Sequence, residues 1–204
     1  DNSPTNGAPD GNEAGLGGFQ VILEDAAGRY GAAGGPMMFD AFGNPVKNSK
    51  DCGPGVPPPP DDIILTCPDG TALIQNLPPG KYGVQVVPPS GAGVTWKQTS
   101  TIEGKRTIDA WVKAAEPAFF QEFGAPGYHV FVGFVSPERV GTPSGTNTVR
   151  GRVTNLHMSR PPDQTLWDSD SRAALAHTTA WVGLNSAGGI GPTIAVAPAD
   201  ADGN

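Results

Sequence analysis

Between Pro68 and Pro89 the chain reads PDGTALIQNLPPGKYGVQVVPP, and the turn chemistry of that stretch leaves it few ways to fold. A polar Asp-Gly turn, a short apolar run from Ala72 to Ile74, an Asn-Leu-Pro-Pro-Gly turn and the alternating run Tyr82 to Val87 read together as a β-hairpin unit. In the last run Tyr82, Val84 and Val86 fall on one side, the pattern of a half-buried strand. Near the other end, ADADGN at Ala199 to Asn204 echoes the CPDGT turn at Cys67 to Thr71, and both follow a β-rich segment. A unit of this size cannot bury its apolar face alone, so the echo is expected to open a second module. On that reading the second module stops after its first turn. Its strand edges and one apolar face are then left for a neighbouring copy or an adjacent domain to complete.

Glycine and proline supply 29 and 22 of the 204 residues, and the apolar residues between them fall in short runs. That punctuation belongs to an all-β chain. No apolar run approaches the roughly 20 residues of a membrane-spanning helix, so no membrane insertion is expected. Neither an initiator methionine nor a charged-then-apolar leader opens the sequence, as expected of a mature or excised piece of a secreted protein. A formal net charge of −7 argues against nucleic acid and anionic lipid as partners, since both need clustered Lys and Arg.

The two cysteines, Cys52 and Cys67, flank the proline-rich insert GPGVPPPPDD. Closing a loop of about 15 residues stabilises by about 3 kcal/mol in the chain-entropy treatment. A pair bracketing one such insert reads as a disulfide, with two free thiols as the other reading. A disulfide implies an oxidising compartment, extracellular or at the cell surface.

Strand-like runs at Phe19 to Asp25, Ile63 to Thr66, Ala72 to Ile74, Tyr82 to Val87 and Thr107 to Lys113 place a first β-sandwich over residues 1–115, with its proline-rich insert at 50–62. Residues 116–148 read as a linker holding Phe119, Phe120 and Phe123 and an extra strand at 129–135. Residues 149–204 open a second β-domain, with strands at Val149 to Leu156, Ala180 to Leu184 and Thr193 to Ala197.

Metal-ligand grammar occurs in NSPTNGAPDGNE, Asn2 to Glu13. Asn6, Gly7, Asp10 and Glu13 match positions five, six, nine and twelve of a calcium loop. Asn2, or Asp1 in its place, would supply position one and the Ala8 carbonyl position seven, while Pro4 occupies position three. The other reading is a solvated acidic turn. For catalysis there is less. His129, His157 and His177 lack paired metal spacing, although His157 and His177 flank one polar insert, so a copper or zinc enzyme domain using those two is one alternative. No nucleophile elbow surrounds Ser90, and no spacing rule supports Glu116 and Glu122 as paired acids. A carbohydrate-binding module attached to a hydrolase is another alternative. Trp96 and Trp167 lie in loops and are its candidate glycan-stacking residues, whereas Trp111 and Trp181 fall in strand patterns that suit packing.

The acidic loop, the following EAGLGGFQVILEDAAGR and the later LPPGKYGV together resemble the SdrD B-like repeats of bacterial surface proteins. The resemblance rests on Asn6, Gly7, Asp10, Glu13, Gly15, Leu16, Gly18, Val21, Leu23 and Asp25, and on Leu77, Gly80, Tyr82 and Val84. It covers about the first 115 residues and implies a prealbumin-like (Ig-like) sandwich, bacterial secretion and structural calcium. The segment from VRGRVTN to ADADGN is similar to carboxypeptidase regulatory-like domains of the same sandwich class. Related sandwiches are often locked by a Lys to Asn/Asp bond, but the first strand has no Lys, Lys47 and Lys50 sit beside the insert, and Asp109 reads as an outward charge. The expectation is therefore an all-β chain of tandem sandwich modules, the second incomplete. Its role would be non-catalytic: a stalk, spacer, adhesion or filament-assembly element, partnered by adjacent modules, neighbouring copies, glycans or other surface proteins. If the N-terminal loop holds calcium, saturating Ca²⁺ raises the melting temperature and chelation lowers it again, as measured by differential scanning calorimetry.

Overall fold

A computed structural model of the chain describes residues 4–7, 10–25, 35–60, 63–91, 93–100, 106–112, 129–140, 144–153 and 180–204. Two units are present, one covering Gly7–Phe134 and the other Asn2–Asn6 with Val135–Asn204. Both are built from antiparallel strands.

In the first unit, β1 (Gln20–Asp25) is the spine. Its alternation sends Val21, Leu23 and Asp25 inward and Gln20, Ile22 and Glu24 outward, as a period of two requires. All six of its residues pair with β3 (Gly80–Val87), from Gln20 opposite Val87 to Asp25 opposite Tyr82. Short β2 (Ile64–Leu65) covers one edge of β1, and β5 (Ile108–Val112) pairs with the far side of β3. The sheet order is β2-β1-β3-β5. Register brings Val21, Leu23, Tyr82, Val84 and Ala110 onto one face, where all are buried. Outside, Lys81 lies across from Trp111, its ammonium 5.7 Å from the ring centre, and bonds Asp109 at 2.6 Å. Asp109 is thus outward-facing, as alternation indicates, with its partner on the neighbouring strand.

The layer facing this sheet differs from expectation. Ala72 to Ile74 is extended, with Ala72 and Ile74 turned to the core and Leu73 outward, but it joins no strand. The Leu73 N–H donates to the Asn48 side chain at 2.9 Å and its carbonyl accepts from Ser49 at 2.7 Å. One rung is therefore a side chain, and the ladder cannot continue. The hairpin read from residues 68 to 89 does not form for the same reason, and β3 pairs with distant β1 and β5 instead. Likewise, of the strand expected over 129–135 only β6 (Phe134–Val135) is laddered, in a two-stranded sheet with β4 (Lys97–Gln98). Just before it, Gly133 donates to the Ser100 hydroxyl at 2.8 Å rather than to a backbone carbonyl. Met37, Val46, Leu77 and Val130 complete the cover. Val130 and Phe134 are why the first unit runs past residue 115 into the segment expected to be a linker.

In the second unit, β7 (Trp181–Asn185) and β8 (Thr193–Pro198) form a two-stranded sheet with an irregularity at Leu184/Asn185. Thr5 is tied to both strands. Its N–H donates to the Thr193 hydroxyl at 2.7 Å, and its carbonyl accepts from the Asn185 amide at 2.9 Å. Val182, Leu184 and Ile194 stay 40–49% exposed. Residues 149–153, expected to begin a strand, carry none. Val153 donates to the Gly203 carbonyl at 2.7 Å.

Three turns share one backbone. In Asp40–Asn44, Cys67–Thr71 and Asp200–Asn204 the first N–H donates to the fifth carbonyl at 2.8, 2.8 and 2.9 Å. The fourth residue is glycine at φ +81°, +77° and +80° and donates back to the first carbonyl. This is the three-residue hairpin connection whose left-handed residue favours Gly. The echo between ADADGN and CPDGT is therefore real in backbone geometry. The nearer match in sequence and side-chain bonding is DAFGN at 40–44.

Tyr82 is 1% exposed and its hydroxyl donates to the Pro78 carbonyl at 2.5 Å, bracing the Leu-Pro-Pro-Gly corner into β3. Tyr82→Phe leaves that carbonyl without its donor and is expected to lower stability by about 1–2 kcal/mol. Urea denaturation should show a lower midpoint with an unchanged slope.

Candidate functional site

The densest polar constellation lies where the two cysteines meet. Cys52 and Cys67 are joined, with Cα atoms 5.0 Å apart and a sequence separation of 15. Cys67 is 2% exposed and is also the first residue of the CPDGT turn. Beside the bond, the Asn48 side chain serves several segments at once. Its amide donates to the Leu65 carbonyl of β2 at 2.9 Å and lies 3.5 Å from the Cys67 sulfur, while its carbonyl oxygen accepts from Lys50 and Leu73. Nothing in the sequence around Asn48 announces this role beyond its place four residues before Cys52.

Lys50 extends the cluster, its ammonium donating to the Asp69 carboxylate and the Thr71 hydroxyl. Asp69 also accepts from the Thr71 N–H at 3.1 Å and hydroxyl at 2.7 Å. The Lys50 ammonium, then the Thr71 hydroxyl and N–H, pull the Asp69 carboxyl down to about 2. The other two turns hold their carboxylates in the same manner. At Asp40 desolvation pushes the pKa up. The N–H groups of Asn44 and Phe42, at 2.9 and 2.8 Å, and the amides of Asn44 and Asn76 outweigh it and leave the pKa lowered. Asp200 is lowered by the N–H groups of Asn204 and Asp202, both at 2.9 Å. Among the described residues, each carboxylate whose pKa moves thus closes a hairpin turn.

The N-terminal loop is described in part. Asn2 and Ala8, two of the five expected calcium donors, lie outside the described residues. Asn6 is exposed and belongs to the second unit, while Asp10 and Glu13 belong to the first. Asp10 donates its N–H to the Glu13 carboxylate at 3.0 Å and accepts from the Glu13 N–H at 3.0 Å, so the turn is closed by protein groups. Pro4 brings no side-chain oxygen. Among the described residues no three of His, Cys, Asp and Glu gather as a metal cluster. Asn6, Asp10 and Glu13 alone are fewer than the six to eight oxygen ligands of a calcium shell, the other expected donors lie outside the described residues, and no role is derived through that ion.

Trp96 is half-buried, its ring packed edge-on to Phe19 at 5.2 Å, and Phe19 in turn meets Phe134 at 5.0 Å. Those contacts pack part of the ring against Phe19, just before β1, which itself packs on Phe134 of β6. Trp167, His157, His177, Glu116, Glu122, Phe119, Phe120 and Phe123 lie outside the described residues. Among the described residues no helix is long and apolar enough to cross a membrane. Comparison with protein-family models, with curated proteins and with solved structures returns no match.

The Asp69 pairing is checkable by carboxyl NMR titration. Its depressed pKa means that its contribution to stability is present above the ordinary value of 3.8 and is lost as the pH falls toward about 2. In Lys50→Met the Asp69 midpoint moves up toward the ordinary carboxylate value, because the largest cause of the shift is gone.

Proposed function

We propose that the chain is a non-catalytic structural and interaction module of a secreted or cell-surface bacterial protein, a stalk, spacer or assembly element. One observation carries this reading. The strongly engaged polar side chains, Asn48, Asp40, Asp69 and Asp200, are spent on bracing turns and on the disulfide bracket, not on converging around a reacting atom. Braced turns and a cross-linked insert suit a module that must keep its shape outside the cell, where small domains commonly rely on disulfides. The resemblance of the N-terminal stretch to SdrD B-like repeats agrees with that role, as does its implied prealbumin-like sandwich.

Association would run through the second unit. The two-stranded β7–β8 sheet, with Val182, Leu184 and Ile194 partly exposed, suits completion by a strand from an adjacent module or neighbouring copy.

Load-bearing is measured directly by pulling the chain from its ends in a single-molecule force experiment. The first unit should yield in one step when oxidised. With the loop between Cys52 and Cys67, a sequence separation of 15, released by reductant, that step should lengthen by roughly 50 Å, at about 3.3–3.6 Å per residue. Extension without a resolvable step, or a step of the same length in both redox states, would sink the proposal that this is a braced, load-bearing module.

A further inference from the structure

Inside the first unit the sheet and its cover do not meet everywhere. Between them lies a cavity of about 720 Å³, partly open to solvent. Its floor is the inner face of the sheet, with Val21, Val84 and Ala110, and its roof includes Ile74, Val130 and Phe131. Protein interiors rarely leave voids larger than a water molecule, and the lining of a void loses its dispersion partners. Filled with water, the cavity offers mostly apolar walls to molecules that need two to four polar partners each. Small-molecule sites commonly occupy roughly 300–1,000 Å³, with apolar walls and a few polar groups that orient the ligand. The cavity fits that description on both counts.

The polar groups decide the ligand's chemistry. Among the described residues its ionisable lining groups are Asp10, Glu13, Asp69 and His129, with no Lys or Arg; Asp69 is paired with Lys50 beside the lining, so Asp10 and Glu13 carry the remaining carboxylates. The Asp10 backbone and Glu13 are joined by reciprocal bonds, which fix this turn at the cavity's edge. Anionic heads such as carboxylate or phosphate face repulsion there, while ammonium and hydroxyl heads do not.

We infer that this cavity binds a single-chain amphiphile with an uncharged or cationic head, its aliphatic tail between sheet and roof and its head beside Asp10 and Glu13. The site is independent of the structural role proposed above, and either can fail without the other.

The test uses the intact oxidised chain and the neutral fluorophore N-phenyl-1-naphthylamine. Saturable fluorescence enhancement is expected, with displacement by dodecylamine and dodecanol about tenfold more effective than by dodecanoate, equivalent to about 1.4 kcal/mol. Asp10→Asn with Glu13→Gln should erase the preference for dodecylamine over dodecanoate while keeping uptake of the fluorophore. Ala110→Phe fills the floor and should abolish uptake. If that variant fails to fold, Ile74→Trp, at the half-buried roof, does the same from the other side. No uptake by the native chain overturns the inference, as does uptake that neither filling variant reduces. Equal displacement by dodecanoate overturns the assignment of the head group. Uptake seen only after Phe119, Phe120 and Phe123 are all changed to Ala would show that the chain's own aromatic segment is the occupant, and that result also overturns it.

Discussion

One side-chain amide, that of Asn48, holds together segments of the first unit that share no ladder. It bonds the end of β2, the extended run carrying Leu73 and the backbone at Lys50, and it rests against the Cys67 sulfur. Each such bond contributes only about 1 kcal/mol net, yet removing the amide leaves several part-buried partners unsatisfied together. Ala72, Ile74 and Leu77 reach the core from the run that Asn48 anchors. The disulfide and the Lys50–Asp69 pair fasten the same corner from either side. The cover of the sheet therefore depends on side-chain pins, while the sheet itself depends on backbone pairing.

That division explains what was legible in the sequence. β1, β3 and β5 were visible because alternation marks a strand whose inner face is buried, β7 and β8 as short apolar runs between turn residues, and the observed bounds of all five differ from expectation by only a residue or two. Ala72 to Ile74 and 129–133 show extended apolar patterning as well, but Asn48 and Ser100 supply rungs there. Sequence periodicity cannot distinguish a rung made by a side chain from one made by backbone. The partner of β3 was misjudged because a turn motif suggests the nearest run, whereas inner-face register selected β1 across more than 50 residues of chain. The DAFGN turn escaped notice although it shares four of five residues with DADGN. Phe42, 77% exposed at its tip, disguised a polar turn as part of an apolar stretch.

The candidate sites divide in a similar way. The cysteine pair was readable from its spacing around a proline-rich insert. Asn48 was not, because an isolated Asn carries no signal of how many segments will converge on it. Trp96 was read as exposed from its loop position, yet loop residues pack when a neighbouring strand offers an aromatic face, and Phe19 does so. At the N-terminus the residue types are those of a calcium loop, and Asp10 and Glu13 are joined by one backbone bond and one bond from the Asp10 N–H to the Glu13 carboxylate.

The cavity follows from the same asymmetry. Two regular sheets pack about 10 Å apart because interdigitating side chains set their separation along the whole length of every strand. A cover of separate extended segments has no such common spacing. Residues 72–74 stand where Asn48 and Ser49 hold them, and Gly133 where Ser100 and Thr99 hold it. Apolar attraction acts on those segments but is opposed by directional bonds at fixed distances, and the pinned residues Leu73 and Gly133 themselves line the open space. Val21, Leu23 and Val84 are consequently both core residues and cavity lining. The space between sheet and cover is thus a consequence of pinning the cover with side chains rather than with a second ladder.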